Sequence, residues 1–400
     1  SHDGDGAGAN TSTESVCGTG TRVSQGGGTG GGNAAQASDQ LRDVGFHQAY
    51  VTLKNFAGQN FDAKIGRQEV VLDGHRLFGH TGWTTGGETK DAIRLTHAGG
   101  NHTVNFIYIA GRNNDGVGNN TAQNEDMFVL HGNTAGVMGG SLSGYFVTTV
   151  DGTSDAFPHA NTWYTVGGRQ KGKLGAIDYR LEYYHQFGDG ASGANALTGY
   201  GAAVNNQSDI DRNAHMFGAR VGTTFKNSSM KPSITLWYDR LSGTDDDDIT
   251  GNEFGTFDTL SDTGHKFYGF MDFYLHAANH GTRGLGLQDT AIKTKMSPAA
   301  GWTLKAHYHW FRTSVDGSGG DADTFITNDT ILDGSQKAEL GQELDVILVH
   351  KYDSNTKIVA GYSHFWTTGT FSRVQAGAAA TKDDANDGAD WMFVMVDTKF

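Results

Sequence analysis

The feature of this sequence that most constrains its fold is a long series of runs in which apolar and polar residues alternate. Residues 176–187 read AIDYRLEYYHQF, and the odd-numbered positions from Ile177 to Phe187 form the more apolar face. The last ten residues, WMFVMVDTKF, alternate in the same way. Alternation with a period of two predicts β-strands that have one apolar and one polar face.

Runs of this kind recur from residue 45 to the end of the chain, separated by Gly- and Asp-rich stretches. They predict sixteen strands, at residues 45–55, 61–71, 90–98, 102–112, 125–132, 140–151, 160–170, 173–187, 213–226, 232–241, 265–276, 285–296, 300–313, 338–352, 355–367 and 390–400. Strands of soluble sheets usually have about 5–6 residues, whereas a strand that crosses a bilayer needs about 9–11. The predicted lengths therefore favour a membrane barrel over a soluble sandwich.

The composition agrees with this prediction. The 400 residues include 59 Gly but only 3 Pro, and Pro is rare within sheets because it cannot donate a ladder hydrogen bond. No apolar run reaches the roughly 18 residues that indicate a membrane helix. The predicted fold class is all-β, a transmembrane antiparallel up-and-down β-barrel at residues 41–400. Residues 1–40 are predicted to be a flexible, Gly/Ser/Thr-rich extracellular loop or tail.

Aromatic residues and connection lengths place this barrel in a bacterial outer membrane. Tyr, Trp and Phe crowd the predicted strand ends, for example at Trp163, Trp237 and Trp302, as in the aromatic girdles of membrane barrels. Short connections such as GKLG alternate with long ones such as residues 188–213, which is typical of periplasmic turns and extracellular loops. The terminal Phe400, after an alternating decamer, resembles the assembly signal of outer-membrane barrels.

Several sequence blocks resemble the alginate-export family of outer-membrane porins. They are KIGRQEVVLDGHRLFGHTGW at 64–83, KDAIRL at 90–95, the block at 264–298, LKAHYHWFR at 304–312, LGQELDVILVHKY at 340–352 and IVAGYSHFW at 358–366. The resemblance implies a monomeric, eighteen-stranded barrel whose charged lumen passes an acidic polysaccharide, alginate. Since sixteen strands are predicted, two more are expected upstream of Ser1. The alternative is a complete sixteen-stranded barrel with an N-terminal tail.

The polar faces of the predicted strands supply the candidate lumen residues, which are Arg67, Arg76, Arg94, Arg180, Arg220, Lys293, Lys295, Lys305, Asp178, Glu182, Asp289, Glu343 and Asp345. The resemblance implies that Arg67 and Arg94 face the lumen and that Glu343 and Asp345 brace them. A bulge at Gly66 is expected to turn Arg67 inward. Arginine suits carboxylate solutes because its planar guanidinium donates two parallel hydrogen bonds. The alternative for each residue is a structural ladder of opposite charges.

The net charge of −14 has to be reconciled with a channel for anions. Much of the acidity lies in predicted loops, which hold Asp245 to Asp248, Asp321, Asp323, Asp383, Asp384, Asp387 and Asp390. The candidate lumen residues are more balanced. The acidic composition also disfavours nucleic-acid binding.

Two groups could hold a metal. Asp245, Asp246, Asp247 and Asp248 could bind Ca²⁺ in an extracellular loop through carboxylate oxygens, although EF-hand spacing is absent and a solvated acidic loop is the alternative. His307 and His309 share a strand face, but with no third ligand evident in the sequence they are interpreted as polar lumen residues. No cofactor is predicted to be required. Cys17 is the single cysteine, so no internal disulfide is expected.

The sequence therefore predicts an outer-membrane channel for charged, carbohydrate-like or small organic anions such as alginate. Its partners would be outer-membrane lipid, lipopolysaccharide and the solute. The second hypothesis is a structural or interaction barrel whose lumen is plugged and whose extracellular loops bind partners. No nucleophile elbow, P-loop or dinucleotide motif is present, so no enzymatic activity is predicted.

Overall fold

The structure is a computed structural model. It describes residues 46–83, 87–111, 125–151, 161–190, 210–245, 247–248, 251–275, 281–282, 284–315, 339–376 and 388–399. The predicted tail at 1–40, Cys17, Asp246 and the terminal Phe400 lie outside these residues. Among the described residues, no helix is both long enough and apolar enough to cross a membrane.

In the described part of the chain, sixteen strands form one sheet. The strands are β1 (Ala49–Leu53), β2 (Asp62–Gln68), β3 (Lys90–Gly99), β4 (His102–Ile109), β5 (Glu125–Val137), β6 (Gly140–Asp151), β7 (Asn161–Leu174), β8 (Ile177–Asp189), β9 (Asp211–Thr224), β10 (Ser233–Leu241), β11 (Glu253–Phe254), β12 (Leu287–Met296), β13 (Trp302–Arg312), β14 (Glu339–Lys351), β15 (Thr356–Thr367) and β16 (Ala389–Thr398). Neighbours in sequence pair antiparallel, except that β10 pairs directly with β12 and β11 pairs in parallel with β9. Short helical segments accompany them in the described residues, including 3-10 turns at Phe56–Gly58 and Gly264–Lys266 and an α-helix, α1, at Gly369–Ala376.

One predicted strand is wrong. Residues 265–276 alternate in sequence, but residues 265–275 of the structure begin within the 3-10 turn at Gly264–Lys266 and continue as irregular chain. Positive φ angles at Gly269 (87°) and Asp272 (59°) prevent an extended run there. The total is still sixteen because the two-residue strand β11 was not predicted.

The two faces of the sheet differ in the way that a membrane barrel requires. Large apolar side chains on the outer face are exposed, including Phe106 (47%), Leu130 (49%) and Leu181 (49%). Charged side chains on the inner face are buried, including Glu182 and Asp239. A soluble sandwich would bury the apolar face instead. The prediction that the apolar stripe of each strand faces outward is therefore confirmed.

The inner face is covered by two long connections rather than by a second sheet. We call residues 69–89 the β2–β3 loop and residues 242–286 the β10–β12 loop. A parallel bridge joins Phe78 to Ser261, and the Gly79 N–H donates to the Ser261 carbonyl at 2.7 Å. Both loops leave the same end of the sheet, because the opposite end carries only short turns such as Gly175–Ala176.

The sheet is open between its first and last strands within the described part of the chain. There β1 pairs with β2, and β16 pairs with β15. The β2–β3 loop reaches the inner face of β16, where the Trp83 ring lies edge-on to Phe393 at 4.8 Å and 6.1 Å from Trp391. Trp83 also stacks on His265 of the β10–β12 loop at 4.2 Å. One indole therefore joins both loops to the last strand.

Candidate functional site: a charged inner wall

Arg76 fixes the β2–β3 loop to the inner face of the sheet, which we call the inner wall. Its guanidinium donates to Asp239 at 2.5 Å, to the Tyr268 hydroxyl at 2.5 Å and to Glu182 at 3.3 Å. Its carbon Cζ lies 3.8 Å from the centre of the Phe267 ring. These partners come from β8, β10 and the β10–β12 loop, so one buried cation connects four segments of the chain.

Further arginines surround the two carboxylates that bind Arg76. On β7, Arg169 places Nε 3.0 Å from Glu182, and on β8, Arg180 places Nε 3.6 Å from the same carboxylate. On β9, Arg220 donates to Asp239 at 3.4 Å and stacks 3.0 Å above the Trp237 ring. Cross-strand pairing explains the assembly, because Arg169 lies opposite Glu182 in the register of β7 and β8.

Asp73 extends the network toward β5 and β6. Its carboxylate accepts a hydrogen bond from the Tyr145 hydroxyl at 2.7 Å and lies 3.3 Å from His131 Nε2. Arg169 Nη1 lies 3.6 Å from the other oxygen. Burial alone would raise the pKa of Asp73, but hydrogen bonds from His131, Tyr145 and Ser143 outweigh it and lower the pKa to about 2.

The loops beside this network experience a positive field. Burial lowers the pKa of Lys266, and repulsion from Arg180, Arg169 and Arg76 lowers it further. His75 shows the same effect, since burial first and then Lys266 and His80 lower its pKa to about 4. Cations therefore outnumber anions where the two loops meet the wall.

A count of the network supports this conclusion. Five cationic side chains stand against three carboxylates, an excess of two positive charges: Arg76, Arg169, Arg180, Arg220 and Lys266 against Asp73, Glu182 and Asp239. The Arg180 side chain is 16% exposed, more than Arg76 (2%), Arg169 (6%) or Arg220 (6%). A Cβ on Gly74 would lie 3.1 Å from Arg180 Nη1, so a glycine at this position lets the β2–β3 loop approach the guanidinium closely.

A second group of buried polar side chains lies on β12 to β14. Asp289 on β12 and Glu343 and Asp345 on β14 are fully buried, together with His309 on β13. His309 Nδ1 lies 2.8 Å from an Asp289 oxygen. The Glu343 carboxylate accepts the backbone N–H groups of Phe270 and Met271 at 2.6 and 2.9 Å, which fixes the β10–β12 loop to the wall.

Most of the predicted lumen residues lie on the inner face by strand register. Arg180 and Arg220 are directly opposite each other, as are Asp239 and Asp289, and Lys295 and Lys305. The remaining residues of the predicted set that register places on this face are Arg94, Asp178, Glu182, Lys293, Glu343 and Asp345. Arg76 lies instead in the β2–β3 loop. Arg94 on β3 binds the Asn105 side chain of β4 at 2.8 Å, whereas Glu343 and Asp345 lie on β14.

The inward orientation of Arg67 is not found. Its register partner is Asp91, to which it donates two hydrogen bonds of 2.9 and 2.8 Å, and both side chains are exposed. Gly66 has a φ of 121°, but the pairing of β2 with β3 continues through it without a shift. Strict alternation is therefore kept, so Lys64 lies opposite Arg94 on the inner face and Arg67 points the other way.

The acidic stretch predicted to bind Ca²⁺ is described at Asp245, Asp247 and Asp248. The Asp245 N–H donates to the Asp248 carboxylate at 3.0 Å, and the Asp248 N–H donates to Asp245 at 2.9 Å. Burial raises the pKa of Asp248 to about 6. The carboxylates thus cap their own turn, and the Ca²⁺ site stays a prediction.

Sequence reasoning missed Asp73, Arg169, Asp239 and Lys266. Arg169 and Asp239 carried a usable signal, since each alternates inward on a predicted strand. Asp73 and Lys266 lie in connections that fold onto the inner face, and no period-two pattern marks such a connection.

Comparison with known proteins identifies the family. A family model described as Alginate export matches residues 12–386. The chain belongs to the Alginate export family. The chain is therefore a porin of the bacterial outer membrane, as the resemblance implied.

Several solved structures are similar to this chain. Pseudomonas aeruginosa OccD3 (OpdP) matches 85% of this chain and 74% of its own, with 12% identity and a TM-score of 0.48. Pseudomonas aeruginosa OprD matches 84% and 75%, with 10% identity and a TM-score of 0.47. Acinetobacter baumannii OccAB1 matches 85% and 74%, with 16% identity and a TM-score of 0.46. A comparison with curated protein sequences found no significant match.

Proposed function

We propose that this porin passes carboxylate-bearing anions, of which the uronate units of alginate are the family's example. The observation that carries the proposal is the excess of cations where the two loops meet β7 to β10. Arg180 is the arginine of this network with the largest exposed fraction. A solute carboxylate can therefore pair with Arg180 without displacing a buried side chain.

Carboxylates of the protein neutralise part of the charge of these arginines, and this suits a solute that passes through the channel rather than one that stays bound. Glu182 and Asp239 already bind Arg76, Arg169 and Arg220, so a solute competes for guanidinium groups that have partners. Conduction needs binding strong enough to admit an ion and weak enough to release it. A mixed wall with a small positive excess meets both conditions.

Planar-bilayer recordings test the proposal. We expect wild-type channels to prefer chloride over potassium in a salt gradient, and oligomannuronate to block the current in a concentration-dependent manner. Arg180→Gln combined with Lys266→Gln should abolish the preference and raise the blocking concentration about tenfold, which corresponds to about 1.4 kcal/mol. The matched control is Arg67→Gln, which removes an exposed cation from the outer face. A wild-type channel that prefers potassium contradicts the proposal.

A plugged structural barrel is the second candidate, and the packing of the β10–β12 loop favours it. Phe257, Phe267 and Tyr274 of this loop are fully buried against the wall. If the loops close the lumen, the purified protein inserts into bilayers without ohmic conductance. That result would replace the channel by the structural function.

A further inference from the structure

His307 and His309 of β13 meet Asp345 of β14 beneath the β10–β12 loop. One potential ligand atom from each of these three side chains lies within 4.8 Å of the others. Strand register produces the cluster, because His307 lies opposite Asp345 and His309 lies opposite Glu343. The third ligand, which cannot be read from β13 alone, comes from the neighbouring strand.

The orientation of His309 is that of a metal ligand. Its Nδ1 lies 2.8 Å from Asp289 Oδ1, and a carboxylate acceptor places the ring proton on Nδ1. Its Nε2 is then left with a lone pair, and this atom is buried without a hydrogen-bond partner. A carboxylate that orients a histidine in this way is the usual second layer of a metal site.

The distance between His309 and Asp345 fits a shared ion better than a hydrogen bond. His309 Nε2 lies 3.9 Å from Asp345 Oδ2, beyond the roughly 3.2 Å limit of a good hydrogen bond. Two atoms that each bind one Zn²⁺ at about 2.0–2.1 Å can lie up to about 4 Å apart. Small side-chain shifts would bring His307 into the same coordination sphere.

In both carboxylates of β14, Asp345 and Glu343, one oxygen accepts hydrogen bonds and the other has no hydrogen-bond partner. Asp345 Oδ1 accepts the Ser363 hydroxyl at 2.5 Å, whereas Asp345 Oδ2 has no hydrogen-bond partner. Glu343 Oε1 accepts the N–H groups of the β10–β12 loop, whereas Glu343 Oε2 has none. His307 Nδ1 is also buried and unpaired. A cation would satisfy several of these atoms at once.

The charges of the surroundings favour a divalent ion. Asp289, Glu343 and Asp345 are buried, and Lys293 is the cation that interacts with Asp289 and Asp345. Lys305 also acts on His307, and Asp345 acts on Asp272, which is paired with His265. Three buried carboxylates and two imidazoles therefore lie together beneath the loop. Imidazole with carboxylate selects first-row transition metals, whereas Ca²⁺ and Mg²⁺ prefer oxygen alone.

We propose that His307, His309 and Asp345 bind one divalent transition-metal ion of the Zn²⁺ type. The ion joins β13 to β14 below the β10–β12 loop, and Asp289 orients its histidine ligand. The site is separate from the cation excess on β7 to β10, so it does not depend on which solute the channel passes.

Metal titration of the folded full chain in detergent micelles tests the site. After treatment with a chelator, the wild type should take up one equivalent of Zn²⁺, and Co²⁺ should give a visible absorption band that Zn²⁺ removes and Ca²⁺ does not. His307→Gln and Asp345→Asn should abolish stoichiometric uptake. Asp289→Asn should weaken it about 10–100-fold. His350→Gln is the matched control, because this histidine on β14 stacks on Trp302 away from the cluster.

Each outcome decides the proposal. Folding of every variant is checked by its mobility in unheated SDS gels, and the wild-type titration decides the question if a variant does not fold. Stoichiometric uptake that His307→Gln and Asp345→Asn eliminate supports the site. No uptake by the folded wild type overturns it, as does uptake that the substitutions leave unchanged. In either of the two outcomes that overturn the proposal, bound protons and not a metal ion neutralise the charge of the buried carboxylates.

Discussion

Arg76 Nη2 lies 2.5 Å from Asp239 Oδ2, and the two side chains are 2% and 0% exposed. The pair joins the β2–β3 loop to β10 across the inside of the sheet. Arg67 and Asp91 form a pair of similar length, 2.8 Å, but their side chains are 44% and 54% exposed. The same chemistry therefore occurs in two environments within one chain.

The two pairs should differ strongly in their contribution to stability. Arg76→Gln leaves Asp239 and Glu182 buried with less compensation, and removal of one partner from a buried ion pair costs about 3–5 kcal/mol. Arg67→Gln removes an exposed pair that contributes about 0–1 kcal/mol. Urea unfolding in detergent, followed by tryptophan fluorescence, measures both free energies. Similar losses for the two variants would show that Arg76 does not hold the loop.

Gly269 is predicted to be essential for docking of the β10–β12 loop. Its φ is 87°, and a Cβ there would lie 2.5 Å from a Glu343 oxygen, within the carboxylate that holds Phe270 and Met271. We expect Gly269→Ala to release the loop and increase its cleavage by protease. Gly175→Ala is the control, since Gly175 has a φ of 62° but an added Cβ would meet nothing within 4 Å. Backbone strain alone costs about 1–3 kcal/mol, so equal protease sensitivity would exclude the steric explanation.

Asp73 should stabilise the protein only while it is ionised. Its pKa of about 2 in the folded protein is lower than the roughly 3.9 of an unfolded aspartate. The stabilisation is thus present above pH 4 and is lost as the pH falls through about 2. Asp73→Asn should lower the free energy of unfolding at pH 7 by on the order of 2 kcal/mol, and the difference should shrink toward pH 2. A difference that is independent of pH would contradict the assigned hydrogen bonds.

Asp262 should have the opposite effect. Burial raises the pKa of Asp262 to about 8, despite the opposing effect of Arg76. The folded state therefore holds a proton that the unfolded state releases above about pH 4, and this residue lowers stability as the pH rises from 4 to 8. Asp262→Asn should match the wild type at pH 4 and exceed its unfolding free energy increasingly up to pH 8. Denaturant unfolding at four pH values checks the trend, and a more stable wild type at pH 8 would refute it.

The orientation of the strand residues could be predicted from the sequence because period-two alternation decides it. That rule puts Arg180, Arg220 and Asp345 on the polar face of their strands, and strand register lays the three residues on the inner face, while their role in selecting a solute stays a prediction. Arg67 was misplaced when a bulge was added to the rule. The prediction of a strand at 265–276 is wrong because the aromatic residues of this segment pack inside the sheet. Phe267 and Tyr274 are buried there, and the backbone that carries them is irregular.

The site depends on contacts that no local pattern encodes. Arg76 meets Glu182, Asp239 and Tyr268, residues more than 100 positions away. The third member of the His307 and His309 cluster is likewise supplied by a different strand. To find such groups, one must know the register between strands that are far apart in the sequence. A single sequence does not show that register.

The long separation between Arg76 and its partners has a consequence for biogenesis. Closing so large a segment of chain costs entropy that local contacts cannot offset early. The Arg76 contacts can therefore form only after β8 to β10 have joined the sheet and the 258–268 segment has packed on its inner face. An intermediate that lacks these strands would leave the Arg76 guanidinium without its partners, so docking of the two loops belongs to a late step of insertion.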